Sequence, residues 1–349
     1  MAATYRVGII GCSPMAIGSA RRRDIAGKPA PAHSHVDGYQ DHPQTELVAV
    51  CDLDPAALAR YTEFWGPGVA TYTNSDEMLA NENLDLVSIV TPDNRHHHIF
   101  AAAAKSGLKG ILCEKPIATS LPDADMIIAA ARDTGVKAVI NHTRRFDPLH
   151  RQTRRQIDEG AIGTPRHVIG FLTGPRAMLF RNGTHLVNTM MLFLDGTPTW
   201  VQAAYADAEA NYGSGYHSDG GRDPDLEPAV VATIGFDDGS RAVFNSNKEI
   251  AGGFEVTVYG TTGIITLGAT RAERRFAVEG QGFVTQQLPR VDGGAPAIVN
   301  VIDDLVTMVE TDGDPLPNLR EARLTLEILL AITESASRDG VRVYLENTK

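Results

Sequence analysis

Residues 5–16 read YRVGIIGCSPMA, an apolar run that ends in a loop containing Gly11 and Ser13. This pattern predicts a buried β-strand followed by a tight turn. In dinucleotide-binding folds, three glycines in such a loop let a pyrophosphate approach the backbone at a helix N-terminus. Here Ser13 replaces the second glycine and Ala16 replaces the third. The loop alone leaves two interpretations open, a dinucleotide site and an ordinary buried strand that ends in glycine.

The first half of the chain alternates short apolar runs with alanine-rich amphipathic segments, which is the pattern of βαβ units in a parallel sheet. It predicts strands over residues 5–10, 46–51, 86–90, 110–113 and 137–141. Helices are predicted between them over residues 55–65, 75–80, 97–106 and 122–134, with Asp, Pro or Gly at their ends. We therefore expect a doubly wound α/β domain over residues 1–141.

The second half has a different texture, with alternating β-branched runs separated by turn residues. These runs predict strands over residues 167–171, 201–206, 230–236, 241–246 and 254–259. Asp237-Asp238-Gly239 and Thr261-Thr262-Gly263 predict hairpin turns in which glycine adopts a positive φ. Helices are predicted over residues 297–310 and 319–338, and a long irregular loop over 211–228. We expect an α+β domain with a mainly antiparallel sheet over residues 142–349.

The composition excludes several classes of partner. A formal net charge of -11 and a pI near 5.5 would repel a phosphate backbone, so we expect no nucleic acid. The cluster Arg21-Arg22-Arg23 is interpreted as a solvated loop, with contact to a phosphate-bearing ligand as the alternative. No apolar run approaches the ~20 residues of a membrane span, so we expect no membrane association. Three widely spaced cysteines indicate reduced thiols and a cytoplasmic protein.

An acidic residue ends the second predicted strand. Residues 49–54 read AVCDLD, which places Asp52 at the carboxyl end of that strand. A carboxylate there accepts hydrogen bonds from the adenosine ribose hydroxyls and repels a 2′-phosphate, so it favours NAD over NADP. The gap from Gly11 to Asp52 exceeds the usual ~20 residues, and an insertion over residues 18–34 accounts for the excess.

Two further motifs lie at strand ends, because residues 89–96 read IVTPDNRH and residues 112–116 read LCEKP. Open α/β sheets bind ligands at the carboxyl edge, where both motifs are predicted. A lysine after a strand is usually a surface residue, but Pro116 directs the backbone and makes Lys115 a candidate functional amine. The run His96-His97-His98 is interpreted as no metal site, because neighbouring residues on a helix point in different directions.

Together, Thr91-Pro92, Glu114-Lys115-Pro116 and the run NHTRRFDP over residues 141–148 resemble the glucose-fructose oxidoreductase, inositol dehydrogenase and MocA family. The runs GTHLVN over 183–188 and VTVYGTTG over 256–263 resemble motifs of that family's second domain, so the resemblance covers nearly the whole chain. It implies an N-terminal Rossmann domain and a C-terminal α+β domain with an open sheet. It also implies NAD as cofactor, a sugar- or polyol-like substrate, and a homodimer or homotetramer.

Carried onto the matching positions, the resemblance assigns two catalytic residues. Lys115 would hydrogen-bond the reacting hydroxyl, and His185 would take the alcohol proton as hydride leaves, a task that suits an imidazole. The alternative for His185 is a structural histidine at a helix start. The implied cofactor-binding residues are Gly11, Ser13, Met15, Ala16, Asp52, Thr91, Pro92, His96, Glu114 and Lys115. The implied substrate-binding residues are Arg144, Arg145, Arg181 and Asn188.

Two positions depart from the family's pattern. Many relatives place an Asp four residues before this histidine and another three residues after it, whereas this chain has Arg181 and Asn188. His185 therefore lacks the acid partner of those relatives. Asn188 can orient a substrate hydroxyl, and Arg181 can pair bidentately with a carboxylate or phosphate. We hypothesise an anionic or nucleotide-linked sugar as substrate.

The resulting prediction is reversible, NAD-dependent oxidation of a secondary alcohol on a sugar or polyol. One alternative uses the same residues to cleave a glycoside by transient oxidation, elimination and reduction, with NAD recycled. Another is a dinucleotide-binding protein without catalytic activity, which the altered residues Ser13, Arg181 and Asn188 motivate.

Overall fold

The computed structural model describes residues 4–18, 32–206, 212–216, 223–268, 272–289 and 295–346, and the chain divides into two compact units. The first unit contains residues 1–147 and 295–323. Its strands are β1 (Tyr5–Ile10), β2 (Thr45–Cys51), β3 (Ala70–Tyr72), β4 (Leu86–Ile89), β5 (Gly110–Cys113) and β6 (Lys137–Ile140). They form one parallel sheet in the order β3-β2-β1-β4-β5-β6. The predicted doubly wound sheet is confirmed.

The helices of the described residues are α1 (Pro14–Ile17), α2 (His35–Asp41), α3 (Pro55–Trp65), α4 (Ser75–Asn81), α5 (His96–Lys105), α6 (Leu121–Thr134), α7 (Pro148–Asp158), α8 (Gly183–Leu192), α9 (Ala297–Glu310) and α10 (Leu316–Ser337). Their ends follow local chemistry. Ser120 caps α6 by accepting from the N–H of Asp123, and Gly135 ends it in the left-handed conformation.

The strand order places the ligand-binding edge of the first unit. β1 lies between β2 and β4, so the chain winds outward in both directions from this strand. Such a reversal opens a crevice beyond the carboxyl ends of the strands, where open α/β sheets bind ligands. The loops after β1, β2, β4, β5 and β6 therefore meet at one edge of the sheet.

Helix α9 belongs to the first unit, together with residues 142–147 and 311–323, whereas the sequence predicted a second domain over all of residues 142–349. Its apolar face joins the core formed around β1, with Ile302 and Leu305 fully buried. On α2, Gly38 permits this packing, because a Cβ there would lie 2.8 Å from Cδ1 of Ile302. Hydrophobic periodicity shows that a helix has an apolar face but does not show which core that face covers.

Three short elements of the first unit were not predicted, namely α1, α2 and β3. Helix α2 is only seven residues long and contains Gly38, while β3 has three residues and pairs only with β2. The capping box of Ser34 and Asp37 is the sequence signal that marks the start of α2. Residues 19–31 of the expected insertion, including Arg21-Arg22-Arg23, lie outside the described residues.

The second unit contains residues 148–294 and 324–349. Its strands are β7 (Pro165–Thr173), β8 (Pro198–Tyr205), β9 (Val230–Phe236), β10 (Arg241–Asn247), β11 (Gly253–Gly260), β12 (Gly263–Gly268), β13 (Ala272–Val278), β14 (Gly282–Gln287) and β15 (Val343–Tyr344). They form a nine-stranded sheet in the order β14-β13-β12-β11-β7-β10-β9-β8-β15. The sheet is antiparallel except at the β7–β10 pair, which confirms the mainly antiparallel prediction.

The two predicted turns join antiparallel strands but use glycine differently. Gly239 adopts a φ of +81° between β9 and β10, as expected. Gly263 does not lie in the positive-φ region, so that part of the prediction was wrong; a Cβ there would stand 3.0 Å from the carbonyl oxygen of Arg275. Close strand packing, rather than turn conformation, is the reason for this glycine. Residues 211 and 217–222 of the expected long loop lie outside the described residues.

The nine-stranded sheet carries α8 on one face, where Gly170 of β7 leaves room for Leu186. The alternate residues of the same strands point to the other face. Phe171 is 41% exposed and Val231 is 49% exposed on that face. None of the helices in the described parts of the chain has an apolar stretch long enough to cross a membrane.

Candidate active site

The loop after β1 contains the first group of predicted cofactor-binding residues. Gly11 has a φ of +99°, and a Cβ on it would lie 2.7 Å from the carbonyl carbon and oxygen of Val90. Only glycine fits where the chain turns this close to the end of β4. Ser13 precedes α1, in which Met15 is 43% exposed and Ala16 is fully buried. Ala16 therefore fills a packed position, while Met15 is accessible to a ligand.

Asp52 ties the loops after β1 and β2 together. Its Oδ2 accepts a hydrogen bond of 2.7 Å from the N–H of Cys12, and its Oδ1 accepts one of 2.9 Å from the N–H of Asp54. A carboxylate oxygen has more than one acceptor position, so both oxygens retain the capacity to accept from a ribose hydroxyl.

Lys115 lies at the centre of the second group, at the carboxyl ends of β4, β5 and β6. It is 6% exposed, and its peptide bond with Pro116 is cis. Thr91 follows the next strand on one side of β5, and Asn141 follows the next strand on the other side. Thr91, Glu114, Lys115 and Asn141 therefore lie at adjacent strand ends.

Two buried polar atoms at these strand ends indicate a bound polar group. Among the described residues, neither the Thr91 hydroxyl nor the Asn141 side-chain oxygen has a hydrogen-bond partner, although both atoms are inaccessible to solvent. Buried polar atoms are normally paired, because an unmade hydrogen bond costs free energy. A nicotinamide cofactor offers amide and hydroxyl groups that match a hydroxyl and an amide oxygen, so these residues fit the group.

Glu114 is a buried carboxylate with several donors. Its Oε1 accepts from Nε2 of His35 at 2.9 Å and from Nδ2 of Asn141 at 2.7 Å, and its Oε2 accepts from the N–H of Lys115 at 3.3 Å. Burial raises the pKa of Glu114, but the hydrogen bond and charge of His35, the charge of Lys115 and the hydrogen bond of Asn141 outweigh burial and lower it to about 2. Glu114 is ionised at neutral pH.

His142 adds a second buried titratable group beside Lys115. Burial lowers its pKa, and the positive charges of Arg145 and Lys115 lower it further, to about 3, against the opposing charge of Glu114. The imidazole is therefore uncharged at neutral pH. This histidine adds no positive charge next to the lysine.

His96 connects two loops of the site. One ring nitrogen lies 3.0 Å from the carbonyl oxygen of Thr91 and the other 3.0 Å from that of Pro116. Burial lowers the pKa of His96, although Asp93, both carbonyls and Glu114 act in the opposite direction. His97 instead approaches Asp123 at 3.4 Å. In the described residues no group of three or more acidic, histidine or cysteine side chains is arranged to hold a metal ion.

Arg144 and Arg145, two of the three arginines predicted to bind substrate, are partly buried. The guanidinium of Arg145 forms an ion pair with Glu321 of α10. Burial lowers the pKa of Arg144 to about 10, and Asp147 opposes this change. Arg145 is therefore already neutralised by an acid of its own unit.

The predicted residues of the second unit lie at and before the start of α8. His185 and Asn188 are three residues apart on this helix and share one face. Gly183 lets the helix approach β10, because a Cβ there would lie 2.9 Å from the ring of Phe244. Asn188 is buried and donates to the Thr325 hydroxyl at 3.2 Å.

Glu227 anchors the segment that leads into α8. Its Oε2 accepts from the N–H groups of Phe180 at 2.6 Å and Arg181 at 2.9 Å. The carboxylate is 2% exposed and thus fixes the backbone of Arg181, four residues before His185. An acid is present near this position, but it comes from a distant part of the sequence.

Four residues that the sequence motifs did not identify as site residues lie beside the predicted ones. They are His35, Asn141, His142 and Glu227. Asn141 and His142 lie in the motif of residues 141–148, so a prediction that strand-end residues approach each other would have found them. His35 and Glu227 had no such signal.

The chain matches two family models. An oxidoreductase family model with an NAD-binding Rossmann fold matches residues 5–142, and a GFO/IDH/MocA C-terminal domain model matches residues 150–266. The domain named by the first model contains every predicted cofactor-binding residue. Both matches confirm the resemblance drawn from the motifs.

Individual proteins that are similar to this chain are also named as oxidoreductases, dehydrogenases or reductases. A D-apiose dehydrogenase from Paraburkholderia graminis is 33% identical over 134 residues, which are 38% of this chain and 35% of that protein, so the match spans about a third of its length. A 1,5-anhydro-D-fructose reductase from Ensifer adhaerens is 30% identical over 62% of this chain and 67% of its own. The crystal structure of an oxidoreductase domain protein from Kribbella flavida shares the fold, with a TM-score of 0.80 at 18% identity over 99% of this chain and 100% of that one. On these matches, the chain is a member of the GFO/IDH/MocA oxidoreductase family.

Proposed function

We propose that the protein transfers hydride between NAD and a secondary alcohol of a sugar or polyol, with Lys115 and His185 as its catalytic residues. The observation that carries this proposal is the position of Lys115. It is buried at the end of β5, between the two strands that lead to Thr91 and Asn141, whose buried polar atoms have no hydrogen-bond partner among the described residues. A buried lysine at the ligand-binding edge of a Rossmann sheet is poised to contact both cofactor and substrate.

The proposed chemistry separates hydride and proton. Bound NAD supplies the hydride acceptor for the carbinol C–H bond. Lys115 donates a hydrogen bond to the alcohol oxygen and so favours the negative charge that develops on it. The His185 imidazole accepts the hydroxyl proton, and in the reverse direction it returns that proton to the carbonyl oxygen. Every atom and charge is accounted for by these two residues and the cofactor.

Asp52 supports NAD rather than NADP as the working cofactor. Its carboxylate is held by the N–H groups of Cys12 and Asp54, at the carboxyl end of β2. A fixed negative charge at this point repels a 2′-phosphate and accepts from ribose hydroxyls.

A sugar-like substrate follows from the relatives, whose names specify D-apiose and 1,5-anhydro-D-fructose. Within that class, we propose that Arg181 recognises an anionic or nucleotide-linked sugar, since its backbone is held by Glu227. A guanidinium pairs bidentately with carboxylate or phosphate. If Arg181→Ala left the KM of the best acidic substrate unchanged, this specificity would be ruled out. Arg181→Lys keeps the charge but loses the bidentate fork, so it separates the two contributions.

The decisive experiment measures NADH formation over a panel of sugars, sugar acids and inositols. With the best substrate, Lys115→Ala is expected to lower kcat at least 10³-fold, and His185→Ala about 10²- to 10³-fold, as removal of a general base does. Lys105→Ala removes an exposed lysine of α5 and is the matched control. Full turnover by Lys115→Ala would refute the proposed function, as would NAD binding without turnover on any member of the panel.

We further propose that the open face of the nine-stranded sheet pairs with a second copy of the chain. Phe171 and Val231 lie on this face and are 41% and 49% exposed, and apolar faces of this kind commonly bury against a partner. Phe171→Glu is expected to convert a dimer or tetramer to a smaller species in sedimentation equilibrium. Leu53→Glu changes a residue of the first unit that is 81% exposed, and should leave the oligomer intact.

The proposed location is the cytoplasm. Cys12, Cys51 and Cys113 are free buried thiols, which is typical of a reducing compartment. Burial raises the pKa of Cys12 to about 12 and that of Cys51 to about 11, so neither is a reactive thiolate.

A further inference from the structure

A buried chain of hydrogen bonds extends from Glu114 into the interior of the first unit. Beyond Glu114, Nδ1 of His35 lies 2.9 Å from the Ser88 hydroxyl, and that hydroxyl lies 2.7 Å from the hydroxyl of Tyr39. His35, Ser88 and Tyr39 are all fully buried. None of them was singled out by the motifs, and none contacts solvent.

Three elements of the fold assemble this chain. His35 and Tyr39 are four residues apart on α2 and therefore share one face. Ser88 lies in β4, the neighbour of the strand that ends before Glu114. The capping box of Ser34 and Asp37 fixes the first turn of α2, so His35 enters the core at a defined angle.

The donors and acceptors of the chain are complementary. A carboxylate only accepts, so Nε2 of His35 donates to Glu114. The Ser88 and Tyr39 hydroxyls both donate and accept, so they rotate to satisfy Nδ1 in either protonation state of the ring. A buried polar network that is fully satisfied holds its members in one geometry.

Such a network is not needed for packing. Apolar side chains of similar volume would fill the space beneath β4 and β5 at no cost in desolvation. The hydrogen-bond chain instead ends on the Glu114 carboxylate, which also accepts hydrogen bonds from the N–H of Lys115 and the amide of Asn141. Its effect on the site is therefore to fix Glu114 and, through Glu114, Lys115 and Asn141.

We propose that His35 is a positioning residue for the reaction. Its hydrogen bond from the interior of the first unit anchors Glu114 and thereby sets the orientation of Lys115 and Asn141. The inference rests on the proposed function of Lys115. Without the His35 donor, the hydrogen-bond partners that Glu114 retains among the described residues are the Asn141 amide and the Lys115 N–H, and both of these contacts gain freedom. Loss of His35 should thus lower kcat far more than it weakens NAD binding.

The kinetic test compares His35→Leu with His35→Gln and with His42→Leu. His35→Leu is expected to reduce kcat at least tenfold while the Kd for NAD changes less than threefold. His35→Gln supplies an amide donor to Glu114 and should restore most of the lost rate. His42 is another buried histidine of the first unit, 3% exposed and near Asp303 rather than Glu114, so His42→Leu should leave kcat unchanged.

A second readout needs neither substrate nor cofactor. Infrared titration of the apo-protein follows the protonated carboxyl band of Glu114, assigned by its loss in Glu114→Gln. The titratable groups that face Glu114 are His35 from α2, Lys115 and Cys113 from its own segment, His96 from α5 and His142 from the segment after β6. All except His35 are retained in His35→Leu, so an upward shift of the Glu114 midpoint reports the lost anchor. Unchanged kcat would overturn the positioning role, and an unchanged midpoint would show that His35 does not anchor Glu114.

The outcomes separate the two proposals. If Lys115→Ala is inactive and His35→Leu is fully active, the role of His35 fails while the proposed function stands. If Lys115→Ala remains active, the proposed function fails, and the infrared shift still decides whether His35 anchors Glu114. Should His35→Leu not fold, Ser88→Ala interrupts the hydrogen-bond chain one step farther from Glu114. This variant is expected to lower kcat severalfold, and full activity would count against the proposal.

Discussion

The carboxylate of Asp52 accepts a 2.7 Å hydrogen bond from the N–H of Cys12, which couples the end of β2 to the loop after β1. We expect Asp52→Asn to raise the Kd for NAD about tenfold, equivalent to ~1.4 kcal/mol, and to improve binding of NADP because the negative charge is gone. Isothermal calorimetry with both cofactors measures each effect. Asp54→Asn preserves a good N-cap of α3 and is the control. Equal preference in Asp52→Asn and the natural protein would contradict the assignment.

The position of Gly11 gives a test of the same loop. In Gly11→Ala the new Cβ would meet the Val90 carbonyl at 2.7 Å in a positive-φ conformation. We expect a loss of at least ~2 kcal/mol in unfolding free energy, together with NAD binding too weak for calorimetry. Gly135→Ala carries a similar φ, +75°, with no atom within 4 Å of its Cβ, and should cost only about 1 kcal/mol. Similar losses of unfolding free energy in the two variants would mean that the close approach of Gly11 to the end of β4 has no effect on stability.

The unpaired hydroxyl of Thr91 predicts opposite effects on stability and binding. Thr91→Val removes a buried polar atom that has no partner among the described residues, so the cofactor-free protein should be as stable or up to ~1 kcal/mol more stable. If that hydroxyl contacts NAD, the Kd should rise about five- to tenfold. Thr153→Val removes another buried, unpaired hydroxyl, in α7, and should leave the Kd unchanged. A drop in stability without a change in Kd would show that Thr91 has only a structural role.

Five of the six strands of the parallel sheet could be predicted because they are short and apolar, and helices with clear end signals lie between them. The predicted bounds of β5 and α3 agree with the structure for this reason. Helix α2 was missed because its apolar face is short and interrupted by Gly38. The membership of α9 could not be predicted, since an amphipathic pattern does not identify the core that covers it.

The same limit applies to the site. Lys115 and Thr91 were predictable because both follow apolar strands, and parallel strands end at one edge. His35 contacts Glu114 across 79 residues of sequence, and no spacing rule connects them. Glu227 likewise reaches Phe180 across 47 residues. Side chains that support a motif from a distant segment require the fold before they can be recognised.

The buried imidazole of His142 predicts how stability depends on pH. Burial, then the charges of Arg145 and Lys115, lower its pKa from 6.5 to about 3 in the folded chain. At pH above 6.5 the ring is neutral in both states and stability is complete. As the pH falls toward 3, only the unfolded chain takes up the proton, so stability is lost, by up to ~3 kcal/mol between pH 6.5 and 4.5 at 1.36 kcal/mol per pH unit.

Replacing this histidine should remove that dependence. We expect the melting temperature of His142→Gln to fall less between pH 6.5 and 4.5 than that of the natural protein, as measured by calorimetry. The window avoids Glu114, whose lowered pKa places its own contribution between pH 4.5 and about 2. His167→Gln is the control, because burial and Arg241 also lower the pKa of His167, but that ring is half-buried and its contribution should be smaller. If both variants changed the slope equally, the charges of Lys115 and Arg145 would not be the cause of the lowered pKa of His142, and burial alone would account for it.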